Sequence, residues 1–390
     1  MRLPHRLPHR LPHRLFYTAS HIKNPLPATF IRGGTSKGIF LLRRDLPSDP
    51  RKWAPIFARI MGSPDPLHKR QLNGMGGGIS SLSKIVVVSQ PQSSKIPRET
   101  IVDIEYTFVQ VGIEDDKLDV SGNCGNLTTA VGVFAIDEGL CKPAMDQDGM
   151  GTVKLWNTNT NKVIKTTFPV SRETKLAELE REEIAIAGVP GKASRILLEF
   201  DNPAGARTGK LIPTGETRNM VDIGDGQKVE ISCVDATNPT VFVHVNTILE
   251  SPQKEWVTKA DFPLEKLEKI RRAGAVAMGL DPEMQAQPKI CMVGPAENEE
   301  QDFVARALSM GQPHKAIPGT VALCIAGAAG VKGCIVNELV KDKINSSDVA
   351  VRVGIPGGVV GIRSRWNGEE LKNVAIERTA RRLMRGEVFW

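Results

Sequence analysis

Ser121-Gly-Asn-Cys-Gly-Asn126, followed by Leu127-Thr-Thr-Ala-Val-Gly-Val-Phe-Ala-Ile-Asp-Glu-Gly-Leu140, sets a cysteine in a glycine-flanked turn that opens an apolar helix. Ser121 or Asn123 is placed to cap that helix, while Gly122 and Gly125 let the backbone come close to a ligand. The unpaired N–H groups of the first turn, those of Gly125 and Asn126 among them, then offer an anion site beside the sulfur. Thiols at helix N-termini are more easily made proton carriers, and Cys124 is a candidate for that role. The plainer reading is a core cysteine, since free Cys is among the most buried residue types.

Upstream, Ala28-Thr-Phe-Ile-Arg32 and Ile39-Phe-Leu-Leu42 read as short strands around Gly33-Gly-Thr-Ser-Lys-Gly38. That turn is rich in donors at Thr35 and Ser36 and carries two cations, Arg32 and Lys37. It suits a carboxylate or phosphate, and its simpler reading is a structural hairpin. No Walker motif is present, because the glycine spacing differs and no helix pattern follows. Asp49 to Met61 predicts a helix with Trp53, Ile56, Phe57 and Ile60 on one face. Then Asn73-Gly-Met-Gly-Gly-Gly-Ile-Ser-Ser-Leu-Ser-Lys84 runs into the strand Ile85 to Ser89. Gly76, Gly77 and Ser81 again give close backbone approach and a hydroxyl. Lys84, where a polar turn meets a buried strand, is a candidate base, against the common reading of a snorkelling surface lysine.

Downstream, strand patterns at 101–111, 152–156, 163–168 and 195–200 complete the first half, and a charged segment from Arg172 to Glu183 marks a change of domain. We place the domains at 25–190 and 191–390. The second half has strand patterns at 228–234, 240–245 and 288–293, the last entered by Lys289, and a helix over 264–278. Arg306-Ala-Leu-Ser-Met-Gly311 leads through His314 to a Gly319-Thr320 turn and a very apolar helix to Gly330. This is a second glycine turn opening a buried helix, so one plan is used twice. A site between two such helix N-termini suits a polyanion.

With 390 residues, 41% of them hydrophobic, the chain can bury large cores and is most economically two domains. No run approaches the roughly 18 apolar residues of a membrane span, so no membrane partner is expected. The net charge of +7 comes from the start of the chain: residues 1–44 hold nine Lys and Arg and no acid, and the rest holds 42 basic against 44 acidic side chains. A nearly neutral body with 5% aromatics argues against a nucleic-acid partner. Six scattered cysteines without C-x-x-C spacing, and only His68, His244 and His314 beyond the leader, predict free thiols and no metal site. The leader, 1–24, repeats Arg-Leu-Pro-His three times. Its composition is that of a mitochondrial transit peptide, but proline at every fourth residue breaks an amphipathic helix. A disordered tail on a cytoplasmic protein is the alternative.

Arg32 to Gly38, Gly62-Ser-Pro-Asp-Pro66, Gly74 to Gly77 with Ser83-Lys84, Ser121 to Asn126, Arg306 to Gly311 and Gly319-Thr320 together resemble the PrpF family, from about Ala28 to the C-terminus. That family contains 2-methylaconitate, methylitaconate and aconitate isomerases and oxalomesaconate tautomerase. The resemblance implies an α/β fold of two similar diaminopimelate epimerase-like domains, each a mostly antiparallel sheet wrapped around a central helix, with the active site in the interdomain cleft. It implies a cofactor-independent proton shift in a di- or tricarboxylate, with Lys84 and Cys124 at the proton-transfer positions. The racemases of this superfamily use two cysteines, one from each half, and here Pro318 stands near the second position. Arg32, Thr35, Ser36, Lys37, Gly76, Gly77, Ser81, Gly125, Asn126, Lys289, Ser309, His314, Gly319 and Thr320 are the expected carboxylate-binding set. An amino-acid racemase, or an accessory protein to an aconitase-like dehydratase, are the competing readings. Self-association and a pathway link to such a dehydratase are left open.

Overall fold

The computed structural model describes residues 23–390 apart from 121, 225, 251, 253, 260, 285, 286, 310, 345 and 346. The leader expected at 1–24 thus lies almost wholly outside the described residues, as does Ser121. In the first half, strand Leu26–Gly33 turns into Ser36–Leu42 through Gly34, whose φ of +52° costs a glycine nothing. Ser36–Leu42 runs parallel to Lys84–Ser89, which is antiparallel to Ile104–Val111. That strand is parallel to Met150–Asn157, and antiparallel pairings then lead through Lys162–Pro169 to Ile196–Asp201.

The second half repeats this order of pairings. Lys228–Ala236, Asn238–His244, Lys289–Pro295, Phe303–Ser309, Asp348–Ile355, Gly358–Asn367 and Glu370–Arg378 pair antiparallel, parallel, antiparallel, parallel, antiparallel and antiparallel in turn. The expected fold class, two similar α/β units with mostly antiparallel sheets, is the fold observed. One consequence of the repeat is that Lys84 and Lys289 open equivalent strands.

Each half wraps one apolar helix, Gly125–Asp137 in the first and Gly319–Gly330 in the second. These helices are apolar on every side, and a helix of that kind is stable only when it is buried on every side. Residues 127–136 and 321–329 are all buried, in one apolar cluster shared by both halves. The outer faces of the sheets are covered by amphipathic helices in equivalent places. Ala54–Met61 buries Ile56, Phe57 and Ile60, and Leu264–Ala277 buries Leu267 and Ile270. The first of these is shorter than the sequence suggested, since a 3-10 turn at Pro50–Lys52 precedes it.

Two strands tie the halves together. Ile196–Asp201 pairs with Glu370–Arg378, and the last strand, Ala380–Val388, returns to pair along Leu26–Gly33. The turn before that last strand is thereby fixed against the first hairpin: Gly34 N–H donates to Thr379 C=O at 2.9 Å. Among the described residues no helix is long and apolar enough to cross a membrane.

Candidate active site

Cys124 is the N-cap of the first central helix, and its side chain makes no capping hydrogen bond. Of the two expected caps, Ser121 lies outside the described residues and Asn123 does not cap. Asn123 lies one position too early, and its Oδ1 accepts instead from the Tyr106 hydroxyl and from Thr128 Oγ1, both at 3.2 Å. Tyr106 is buried, so its hydroxyl needs such partners; Tyr106 and Thr128 also share a 2.9 Å hydrogen bond. The network fixes the turn from below, and among the described residues no side chain caps the N–H groups of Gly125 and Asn126 beside the sulfur.

The first hairpin lies across this helix end. A Cβ on Gly33 would stand 2.4 Å from Asn126 C=O, so only glycine lets the two backbones approach. Asn126 Nδ2 donates to Thr35 Oγ1 at 3.0 Å, and the buried Ser36 hydroxyl lies 4.0 Å from Cys124 Sγ. Successive side chains in a strand point to opposite faces. Ser36 therefore faces the helix while Lys37 points away, with its Nζ 5.5 Å from the centre of the Phe30 ring. Arg32, opposite Lys37 in register, spends its Nη1 on the carbonyls of Gly34 and Thr379, 2.9 Å from each. The hairpin thus brings Thr35 and Ser36 to Cys124, and turns Lys37 to the far face of the sheet.

Lys84 opens a strand whose inner residues, Val86 and Val88, pack in the cluster of the Cys124 helix, while Ile85 and Val87 pack outside. The same alternation puts Lys84 on the inner face, only 7% exposed, beside Phe108 and Gln110 of the neighbouring strand. Its Nζ donates to Gln110 Oε1 at 2.5 Å and lies 5.0 Å from the Phe108 ring centre. Gln110 is anchored in turn through Nε2 to Ser83 C=O at 2.9 Å. Lys84 and Cys124 thus rise from one sheet face and from the end of the helix packed on it.

The glycine loop before Lys84 is a structural support. Gln71, fully buried, accepts from Ser83 Oγ at 2.6 Å and from Gly78 N–H at 3.0 Å. A Cβ on Gly76 would strike Gln71 Oε1, and one on Gly77 would strike Leu82. Ser81 is half-buried on the 3-10 turn Ser80–Leu82. Gln71, Gln110, Tyr106 and Asn157, whose Nδ2 donates to Asn123 Oδ1 at 3.5 Å, were not singled out from the sequence, where an isolated Gln or Asn carries no visible signal.

In the second half, Gly319 and Thr320 open the equivalent helix behind Pro318, again without a side-chain cap. His314 Nδ1 accepts from Ala316 N–H at 3.1 Å, which leaves Nε2 as the donor of a neutral ring. Burial pushes the His314 pKa down, aided by the nearby charges of Arg306 and Lys289. Burial also lowers Lys289, with Arg271 adding repulsion. Ser309 ends the strand Phe303–Ser309, and its side chain lies outside the described residues. Cys324 is fully buried, and burial pushes its thiol up to about 12, so it belongs to the core. The two helix ends are joined by Arg378 and Thr379: Thr35, Ile317 and Arg378 line one recess between the halves.

A lysine on the inner sheet face, a thiol at the end of the helix packed on it and open helix N–H groups are a set that can move a proton on an anionic substrate. Among the described residues no three His, Cys, Asp or Glu side chains are grouped to hold a metal. The family model described as "PrpF protein" matches residues 23–390. A 2-methyl-aconitate isomerase of Shewanella oneidensis is 35% identical over 392 residues, covering 93% of this chain and 96% of its own. A 3-methylitaconate isomerase of Eubacterium barkeri is 33% identical, covering 93% and 97%. A crystal structure of methylitaconate-delta-isomerase superposes with a TM-score of 0.79 at 33% identity, covering 94% of this chain and 95% of that one. The chain belongs to the PrpF family and is an isomerase.

Proposed function

We propose that this isomerase moves an allylic proton in an unsaturated acid of the aconitate class, interconverting cis- and trans-aconitate or the cis and trans forms of 2-methylaconitate. The observation that supports this reading is that Lys84 opens a strand on the inner sheet face while Cys124 caps the helix packed on that face, with helix N–H groups beside the thiol. The isomerase relatives act, by their names, on methylaconitate and methylitaconate.

In the proposed sequence neutral Lys84 Nζ takes a proton from the carbon next to the double bond. The C–H electron pair enters the conjugated system, giving a dienolate whose negative charge spreads onto a carboxylate. Such a C–H is a weak acid, so the charge must be stabilised as it forms. The free N–H groups at Gly125–Asn126 and Gly319–Thr320 supply fixed positive ends that need no reorganisation. Rotation about the bond that has lost double-bond character, followed by a proton from Cys124, gives the isomer. Solvent exchange then returns a proton to the thiolate and removes one from the ammonium. Every step uses groups of this chain and water.

Pro318 occupies the N-cap position that Cys124 holds in the other half. A racemase with one thiol on each side is therefore disfavoured. The test is proton NMR of the purified protein with cis-aconitate and, separately, 2-methylaconitate. Formation of the other isomer supports the reading and identifies the acid, and no change in either would sink it.

A further inference from the structure

The recess lined by Thr35, Ile317, Glu377 and Arg378 contains a cation that none of the steps above employs. Arg378 ends the strand Glu370–Arg378 and is only 7% exposed. Its Nη1 donates to the carbonyl of Glu377 at 3.1 Å, and no acidic side chain among the described residues forms an ion pair with it. The adjacent carboxylate, that of Glu377, lies instead by Arg195, at 3.6 Å. Nη2 is 3.7 Å from the point where a Cβ on Gly319 would stand, at the first residue of the second central helix. On its other side the next residue, Thr379, holds the hairpin of Thr35 and Ser36 through Gly34.

A buried guanidinium without an anion carries a desolvation cost that a single carbonyl hydrogen bond offsets only in part. The burial is deep enough to push the Arg378 pKa down to about 10. An incoming carboxylate would restore the balance, and a guanidinium meets a carboxylate with two parallel N–H donors. We infer that Arg378 binds a carboxylate of the substrate where its Nη2 faces Gly319, and so selects acids with a carboxylate at that distance from the reacting carbon. This rests on the aconitate-class reading above. It also gives Gly319 a purpose, since a side chain there would fill the space facing Nη2.

The experiment is calorimetric titration of the wild type, Arg378→Gln, Arg378→Lys and Gly319→Ala with tricarballylate, a saturated tricarboxylate that cannot isomerise. Loss of one charge-assisted pair predicts binding weakened about 10- to 100-fold in Arg378→Gln, with partial recovery in Arg378→Lys. Gly319→Ala leaves Arg378 in place, and its new methyl makes an ordinary contact, so it folds and binds more weakly. In turnover, Arg378→Gln raises KM far more than it lowers kcat. Wild-type affinity in both Arg378→Gln and Gly319→Ala overturns the inference, as does failure of the wild type to bind the probe. Should Arg378→Gln not fold, Gly319→Ala decides alone. A wild type that binds the probe through Arg378 but isomerises no aconitate-class acid would instead overturn the proposed reaction and leave this site standing.

Discussion

Cys124 Sγ and Ser36 Oγ face each other at 4.0 Å, across the gap where the first hairpin crosses the end of the first central helix. The thiol's polar neighbour is a buried hydroxyl that can orient it, not a second thiol. Cys124→Ala should therefore keep the fold and lose activity by about 10²- to 10⁴-fold, the usual weight of one positioned acid or base. Cys124→Ser retains a hydroxyl in the same place and should retain more. Steady-state rates of the two variants check this, and a wild-type rate in Cys124→Ala would remove the thiol from the mechanism.

Gln110 holds Lys84 through Nζ to Oε1 at 2.5 Å. Gln110→Glu puts a carboxylate at that contact, tying the amine into an ion pair that must break before it can take a proton. The rate of this variant should fall well below wild type, and a wild-type rate would show that the contact does not position Lys84.

Gly33 is the point of closest approach between hairpin and helix, with a Cβ there 2.4 Å from Asn126 C=O. Gly33→Ala must push the hairpin off the helix end. The expected cost is about 1–3 kcal/mol of stability, with activity falling as Thr35 and Ser36 move away. Denaturant unfolding of the variant measures the first, and unchanged stability would mean that the approach is looser than described.

His314 and His244 both have pKa values pushed below the ordinary 6.5, chiefly by burial. Between their folded values and 6.5 the unfolded chain binds more protons than the native one, so stability rises with pH in that window. The contribution is complete above about 6.5 and is lost as pH falls through the folded values. Unfolding free energy measured across this range should show the slope, and the double variant His244→Gln/His314→Gln should flatten it.

The two glycine turns and their apolar helices were legible because both signals are local: a helix apolar on all sides must be buried, and glycines before it mark backbone approach. The duplication followed from seeing that pattern twice. What the residues around Lys84 and Cys124 do was not legible, because it depends on register. Lys37 and Ser36 are neighbours in sequence, yet strand alternation sends one toward the thiol and the other to Phe30. Gln110, Tyr106 and Arg378 acquire their roles only through pairing with residues far along the chain. The Ala380–Val388 strand is Arg-rich and largely exposed, and its partner is the Leu26–Gly33 strand at the other end of the chain. Nothing local announces that pairing.

The central claim is that Lys84 and Cys124 move a proton, and the most direct measurement is proton NMR in D2O of wild type and Lys84→Ala with the acid that turns over. The account predicts an isomer carrying solvent deuterium from the wild type, and neither isomer nor exchange from a folded Lys84→Ala. An isomer formed at the wild-type rate by Lys84→Ala, or one formed by the wild type with no deuterium entering, would contradict it.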